Sequence, residues 1–403
     1  MRSTTFRSAT VALAVVITAT TAACNSGSTN TVERSDATSS TVPTSGSAET
    51  SPSTSQSTTP GAPETSVAVA DPINTLTPLP SQPDGVPFPT DRWPEGTIPA
   101  GVDVDRLAET IESAFGSNKG SYGQIDAVLV VQGGEIVLER YDDSYPPQQP
   151  HDSWSVAKSV THAVLGILVR DTLLDYDAPA AIQEWAEDER AEITPEQLAR
   201  MSSGLEWNER FDAIQLVGSA AGIDAAAQQS ERPLVADVGS VFNYSTGSTA
   251  VNGRIIGDLV GTGDEFRDWI GGELFDPLGI TSAELISDGN GYWVAGYGAN
   301  MVARDFARFG LLYLRDGVWD GDRILPEGWV NDARTPSDTN SEYGAGFWIG
   351  LNGPDTFSAE GFRGQKVVIA PDSDLVVVVL SNNLNSDRST AFASTIVNLF
   401  RRQ

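Results

Sequence analysis

Near the C-terminus, Lys366-Val367-Val368-Ile369-Ala370 and Leu375-Val376-Val377-Val378-Val379-Leu380 are β-branched runs separated only by Pro371-Asp372-Ser373-Asp374. Short apolar runs bounded by turn residues read as strands. Gly346-Phe347-Trp348-Ile349 reads as a further strand in the same region. More than 200 positions upstream the same signal appears in Ala127-Val128-Leu129-Val130-Val131, followed by Gly133-Gly134 as a hairpin turn and Ile136-Val137-Leu138 as its partner. The stretch between, from about 155 to 317, carries a mostly helical pattern with loops marked by Gly and Pro. Helices are also expected over Asp105–Phe115, from the spacing of Leu107, Ile111 and Phe115, and over Arg388–Phe400. Strands at both ends around a helical middle imply an α/β (α+β) fold. One antiparallel sheet is built from both termini and flanked by helices, with a mostly helical subdomain inserted.

Upstream of this domain, expected over residues 101–403, the chain reads as three segments. Residues 1–24 hold Arg2 and Arg7, a short apolar run, and Thr21-Ala22-Ala23 before Cys24, the order of a secretory signal. That run falls short of the roughly 20 apolar residues a membrane span needs. Cys24 resembles the lipid-acceptor cysteine of bacterial lipoproteins, although Thr21 stands where that pattern usually has an aliphatic residue. The resemblance implies an exported protein held on the outer side of the membrane by lipid on Cys24, or a secreted one if Cys24 is not lipidated. Residues 25–70 are Ser, Thr, Pro, Gly, Ala and Glu with hardly a large apolar side chain, a composition expected to remain a disordered tether. Residues 71–100 are Pro-rich but include Phe88, Trp93 and Ile98, and read as an extended arm packed on the domain.

Composition closes several routes to function. The 54 Asp and Glu against 25 Lys and Arg give a net charge of −29, which repels phosphate backbones and argues against nucleic acid as a partner. One Cys and two His leave little for a metal site, so no metal or cofactor is expected. Chemistry has to come from Ser, Tyr, Lys, Asp or Glu.

Ser153-Trp154-Ser155-Val156-Ala157-Lys158 opens an apolar helix that continues through Ala163, Val164, Leu165, Ile167 and Leu168. Ser155 and Lys158 fall on one face, where the amine reaches the hydroxyl. A Lys enclosed by apolar groups has its ammonium desolvated and can serve as a neutral base for a Ser nucleophile. The helix N-terminus offers N–H groups to a developing oxyanion. Two further segments bear on this pair: Asn243-Tyr244-Ser245-Thr246-Gly247, where Tyr244 either packs or shuttles protons, and Ala359-Glu360-Gly361-Phe362-Arg363-Gly364-Gln365, whose glycines let the backbone pass close to a ligand. His162 reads as a satisfied core residue and His151 as a loop or cap residue. Glu187-Asp188-Glu189 and Asp320 with Asp322 read as solvated surface. Trp154, Tyr292, Trp293, Tyr343 and Trp348 are either core or the lining of an acyl pocket.

Taken in order, Ser155-x-x-Lys158, Tyr244 and a Gly-rich turn on a C-terminal strand resemble the serine β-lactamase and D,D-peptidase superfamily, in particular its class C-like branch with esterases and 6-aminohexanoate-dimer hydrolase. Ile193–Leu198 leading to Met201-Ser202-Ser203-Gly204-Leu205-Glu206-Trp207, and Gly296–Met301 with Asp305, agree with that branch. The resemblance spans roughly residues 100–403. It implies a β-lactamase-like fold, Ser155 as the acylated nucleophile, Lys158 as its base partner and Tyr244 as a second acid or base, with Ser155 N–H and Phe362 N–H as oxyanion hole. Thr246 replaces the usual Asn of the Tyr motif, and Ala359 the usual Lys or His of the strand turn. With these partners for a substrate carboxylate gone, an ester or small amide is the expected substrate. Thr246, Ala359, Gly361 and Arg363 are the expected substrate contacts. Arg363 can restore the missing charge, which keeps β-lactams and cell-wall peptides as an alternative. A non-catalytic, envelope-binding lipoprotein of the same fold is the second alternative.

Overall fold

This computed structural model describes residues 76–116, 120–219 and 222–401. The expected signal segment, Cys24, the tether and the first residues of the arm lie outside the described residues.

A six-stranded antiparallel sheet forms the frame. Its strands are β1 (Ile125–Gln132), β2 (Glu135–Tyr141), β7 (Trp348–Ile349), β8 (Phe357–Gly361), β9 (Gln365–Ala370) and β10 (Leu375–Ser381), in the spatial order β2-β1-β10-β9-β8-β7. The first and last strands of the domain therefore meet at its centre, with Val130 opposite Val377. Every residue of β1, β9 and β10 is buried, which is why they are nearly continuous apolar runs without polar alternation. On one face, Val128, Val130, Val377 and Val379 pack against α1 (Val104–Phe115) and α11 (Ser386–Phe400) through Leu107, Phe115, Phe392 and Ile396. On the other, Leu129, Val131, Val376 and Val378 meet α2 (Val156–Arg170) and the later helix Ala303–Leu314.

The inserted region holds α3 (Pro195–Ala199), α4 (Glu209–Ser219), α5 (Ala225–Ser230), α6 (Thr246–Val260), α7 (Asp264–Ile270) and α8 (Asp276–Leu278). The helix against the sheet is α9, and α10 (Trp329–Arg334) follows it. Two small ribbons unforeseen in the sequence, β3 (Glu284–Leu285) with β4 (Ala299–Asn300) and β5 (Val318–Trp319) with β6 (Asp322–Arg323), connect these helices. Their two-residue strands carry no readable period.

Two differences from the sequence reading bear on the site. The expected strand Gly346–Ile349 shortens to Trp348–Ile349, because Gly346 has φ +72° and passes over α2: a Cβ there would stand 2.8 Å from the Lys158 carbonyl oxygen. Only glycine tolerates both. Ala359–Gln365 read as a Gly-rich turn, but its first half belongs to β8. Phe-Ser-Ala-Glu-Gly is a poor strand sequence on its own and is held by its neighbours, with Ala359 opposite Val367 and Glu360 opposite Lys366.

Residues 76–100 run over the domain. Trp93 is 3% exposed and its indole N–H donates to the Arg304 carbonyl. Phe88 lies against Trp319 at 5.0 Å between ring centroids, and Arg308 donates to the Pro89 carbonyl at 2.8 Å. Trp93→Ala is expected to destabilise the domain by about 3 kcal/mol or more, in a single urea transition. An unchanged midpoint would show the arm to be energetically separate from the core.

Candidate active site

Ser155 sits at the start of α2 on a short, tightly bonded entry. The Ser153 N–H donates to Asn300 Oδ1 at 2.9 Å and its hydroxyl donates to the Tyr297 carbonyl at 2.8 Å. Trp154 then takes φ +46°, a conformation that costs an L-residue energy and persists only where the surroundings enforce it. Ser155 itself is helical (φ −69°, ψ −4°) and its side chain makes no capping bond. Its hydroxyl is left for Lys158, one turn on.

Lys158 is 3% exposed. Its Nζ donates to Ser155 Oγ at 2.9 Å, to Thr246 Oγ1 at 2.8 Å and to the Gly296 carbonyl at 3.1 Å, and lies 4.9 Å from the centre of the Tyr244 ring. Burial draws its pKa from an ordinary 10.5 down to about 8, with the Glu209 charge pulling the other way. A substantial fraction of the amine is therefore neutral in mildly alkaline solution, as a general base requires.

Tyr244 lies in the loop before α6, stacked on Trp348 at 5.4 Å and edge-on to Tyr343 at 5.8 Å. Burial and the Glu209 charge hold its phenol well above the usual range, partly offset by interactions with Ser155 and Trp348. Thr246, at the start of α6, links this loop to α4: its hydroxyl donates to Glu209 Oε1 at 2.6 Å and its N–H to Oε2 at 2.9 Å. Trp207 Nε1–H also donates to Oε2, at 2.6 Å.

The third part comes from β8. A Cβ on Gly361 would stand 2.5 Å from the Ser153 carbonyl oxygen, so the strand end presses on the segment that carries Ser155. Phe362 follows with its ring half exposed and edge-on to Trp154 at 5.2 Å. Arg363, at φ +64°, donates to Asn382 Oδ1 at 2.7 Å and stands about 6 Å from the Trp154 and Phe362 rings.

The structure thus brings Ser155, Lys158, Tyr244 and Thr246 together and sets Gly361, Phe362 and Arg363 beside Trp154. Ala359 is fully enclosed in the core, and its methyl group does not reach an open cleft. His162 is a core residue bonded to Tyr313 and Asp332, and His151 contacts Asp126. Of the candidate aromatics, Tyr343 and Trp348 join Tyr244, Trp293 is core, and the Tyr292 hydroxyl donates to Asp258. The sequence reading missed Glu209. Its only signal was an acidic residue two positions beyond Trp207, and nothing in one sequence places it against Thr246, 37 residues away.

An antiparallel sheet from both termini, an inserted helical region and a Ser-Lys pair at a helix start define a hydrolase of the serine β-lactamase superfamily. A profile of the Beta-lactamase family matches residues 123–399, and the chain belongs to that family. It is 27% identical over 296 residues to the 6-aminohexanoate-dimer hydrolase of Paenarthrobacter ureafaciens, covering 64% of this chain and 72% of that one. A Bacillus anthracis protein described as a 6-aminohexanoate-dimer hydrolase superposes with a TM-score of 0.64 at 25% identity, over 78% of this chain and 88% of that one. A penicillin-binding protein homologue from Caulobacter crescentus shares the fold with a TM-score of 0.58 at 15% identity, over 75% of this chain and 99% of its own.

If the neutral amine acts as the base, reaction at Ser155 should rise with pH and level off above about 8. The rate of covalent labelling by a fluorophosphonate, followed across pH, checks this. A rate independent of pH through that range would remove Lys158 as the base.

Proposed function

We propose that the protein is an exported serine hydrolase that forms an acyl-enzyme on Ser155 and cleaves an ester or a small amide. The carrying observation is the 2.9 Å contact between Ser155 Oγ and an enclosed Lys158 amine. In acylation, the Ser155 proton passes to Lys158 as Oγ bonds to the substrate carbonyl carbon. The negative charge that develops on the carbonyl oxygen is taken by the N–H groups of Ser155 and Phe362; the former belongs to the first turn of α2, whose N–H groups have no partner within the helix. Tyr244, whose ring lies 4.9 Å from the Lys158 amine, passes its proton to the departing alcohol or amine and is reprotonated by Lys158, which returns to the neutral amine. Water then attacks the acyl carbonyl and gives its proton to Lys158, which passes it to Ser155 Oγ as the acyl bond breaks, releasing the acid and free Ser155.

Thr246 supplies a hydroxyl where an amide would bind a substrate carboxylate, and that hydroxyl is engaged by Lys158 and Glu209. The enclosed Ala359 supplies no charge. Both favour a neutral ester or amide around the scissile bond, and the oligoamide named in the Paenarthrobacter relative agrees with the amide option. A second reading, hydrolysis of β-lactams or cell-wall peptides, is favoured by Arg363, which has no carboxylate partner among the described residues. Lipid on Cys24, with the tether, would hold the domain at the outer membrane surface.

Intact-protein mass after fluorophosphonate treatment of the full chain should show one adduct, absent from Ser155→Ala and slowed at least about 100-fold in Lys158→Ala. Turnover by Ser155→Ala would refute the nucleophile, and a folded wild-type chain with no adduct would favour a binding protein of the same fold. On an ester, amide and β-lactam panel, Arg363→Ala should leave neutral esters unaffected. A selective loss of β-lactam turnover would instead support the second reading.

A further inference from the structure

We propose that Glu209 is a positioning residue that, acting through Thr246, fixes the direction of the Lys158 lone pair toward Ser155. The inference rests on Lys158 serving as the base for Ser155. It follows from counting donors and acceptors around one nitrogen. A carboxylate offers only lone pairs, and Glu209 receives three donors: the Thr246 hydroxyl, the Thr246 N–H and the Trp207 indole N–H. The Thr246 hydrogen is thereby committed to Glu209, and Thr246 Oγ1 can present only a lone pair to Lys158. The Gly296 carbonyl is likewise an acceptor only. A neutral amine has two N–H bonds and one lone pair. Thr246 Oγ1 at 2.8 Å and Gly296 O at 3.1 Å take the two hydrogens, and the lone pair is left facing Ser155 Oγ at 2.9 Å.

When Lys158 gains the Ser155 proton, the third N–H points back along the same line, so the transfer needs no heavy atom to move. Without Glu209, the Thr246 hydroxyl is free to rotate, donate to Nζ and occupy the lone pair that Ser155 needs. Gln at 209 creates this situation: its amide has one acceptor oxygen for three donors, so an N–H group must face Thr246. Glu209 also has a cost, since its charge favours the protonated amine. The titratable groups set against Lys158 are Glu209 and Tyr244. His162, one turn further along α2, is committed to Tyr313 and Asp332.

The test is the rate of fluorophosphonate labelling of Ser155 in the full chain, followed by intact mass across neutral and alkaline pH, with thermal melts confirming folding. Glu209→Gln should slow labelling about 100-fold and move the acid limb of the profile to lower pH, because the charge that holds the proton on Lys158 is gone. A purely structural role would show instead as a lowered melting temperature, with Thr246→Ser slowed as much as Thr246→Val. Thr246→Val should be slowed similarly, whereas Thr246→Ser, which keeps the hydroxyl, should stay near the wild-type rate. This pair decides the matter if Glu209→Gln does not fold. A folded Glu209→Gln with the wild-type rate and limb, or Thr246→Val labelling like wild type, overturns the proposal while leaving Ser155 as nucleophile. A wild-type chain that gives no adduct on Ser155 overturns both.

Discussion

A lysine amine enclosed in the protein, with three oxygens around it and no carboxylate touching it, is the constraint the rest of the site serves. Water would solvate the ammonium and keep it inert as a base. Lowering the pKa from 10.5 to about 8 corresponds to roughly 3 kcal/mol of preference for the neutral form. That preference is available only because α2 is buried along nearly its whole length and because the Gly296 carbonyl and Thr246, at the start of α6, stand against the amine. A salt bridge would reverse it. Glu209 stays one hydroxyl away, near enough to order Thr246 and too far to pair with Lys158 directly.

The sheet accounts for the rest of the arrangement. β1 and β10 are buried on both faces and fix the frame on which α2 lies. β8 extends that frame to the edge of the site and ends at Gly361, where the missing side chain lets it touch the Ser153 carbonyl. Two strained residues near Ser155, Trp154 and Arg363, lie on the two segments that meet there. Strain of this kind, about 1 to 3 kcal/mol at each, is sustained by the bonds of Ser153 to Asn300 and Tyr297 and by those of Arg363 to its neighbours.

The sequence disclosed what depends on residue type and short spacing. Val-rich runs announced the central strands, and Ser155 and Lys158 declared themselves by being one helical turn apart in an apolar stretch. The order of these motifs and Tyr244 was enough to recognise the family. β8 was hidden because Ser358, Ala359 and Glu360 have little strand preference and take their conformation from β9. Glu209 was hidden because its partner is far away in the chain and an acidic residue opening a helix ordinarily faces water. Ala359 illustrates the reverse case: its position in the turn motif pointed to the cleft, and only the register of β8 shows that its methyl group faces the core.

The chemistry proposed at Ser155 depends most directly on the protonation of Lys158. The chain contains three lysines, Lys119, Lys158 and Lys366, so protein labelled with ¹³C and ¹⁵N at lysine gives a small set of side-chain signals to assign. One of these, absent from Lys158→Met, should titrate with a midpoint near 8. If the Lys158 signal instead titrates at the ordinary 10.5 or above, the amine is an ammonium throughout the working range and cannot be the base for Ser155.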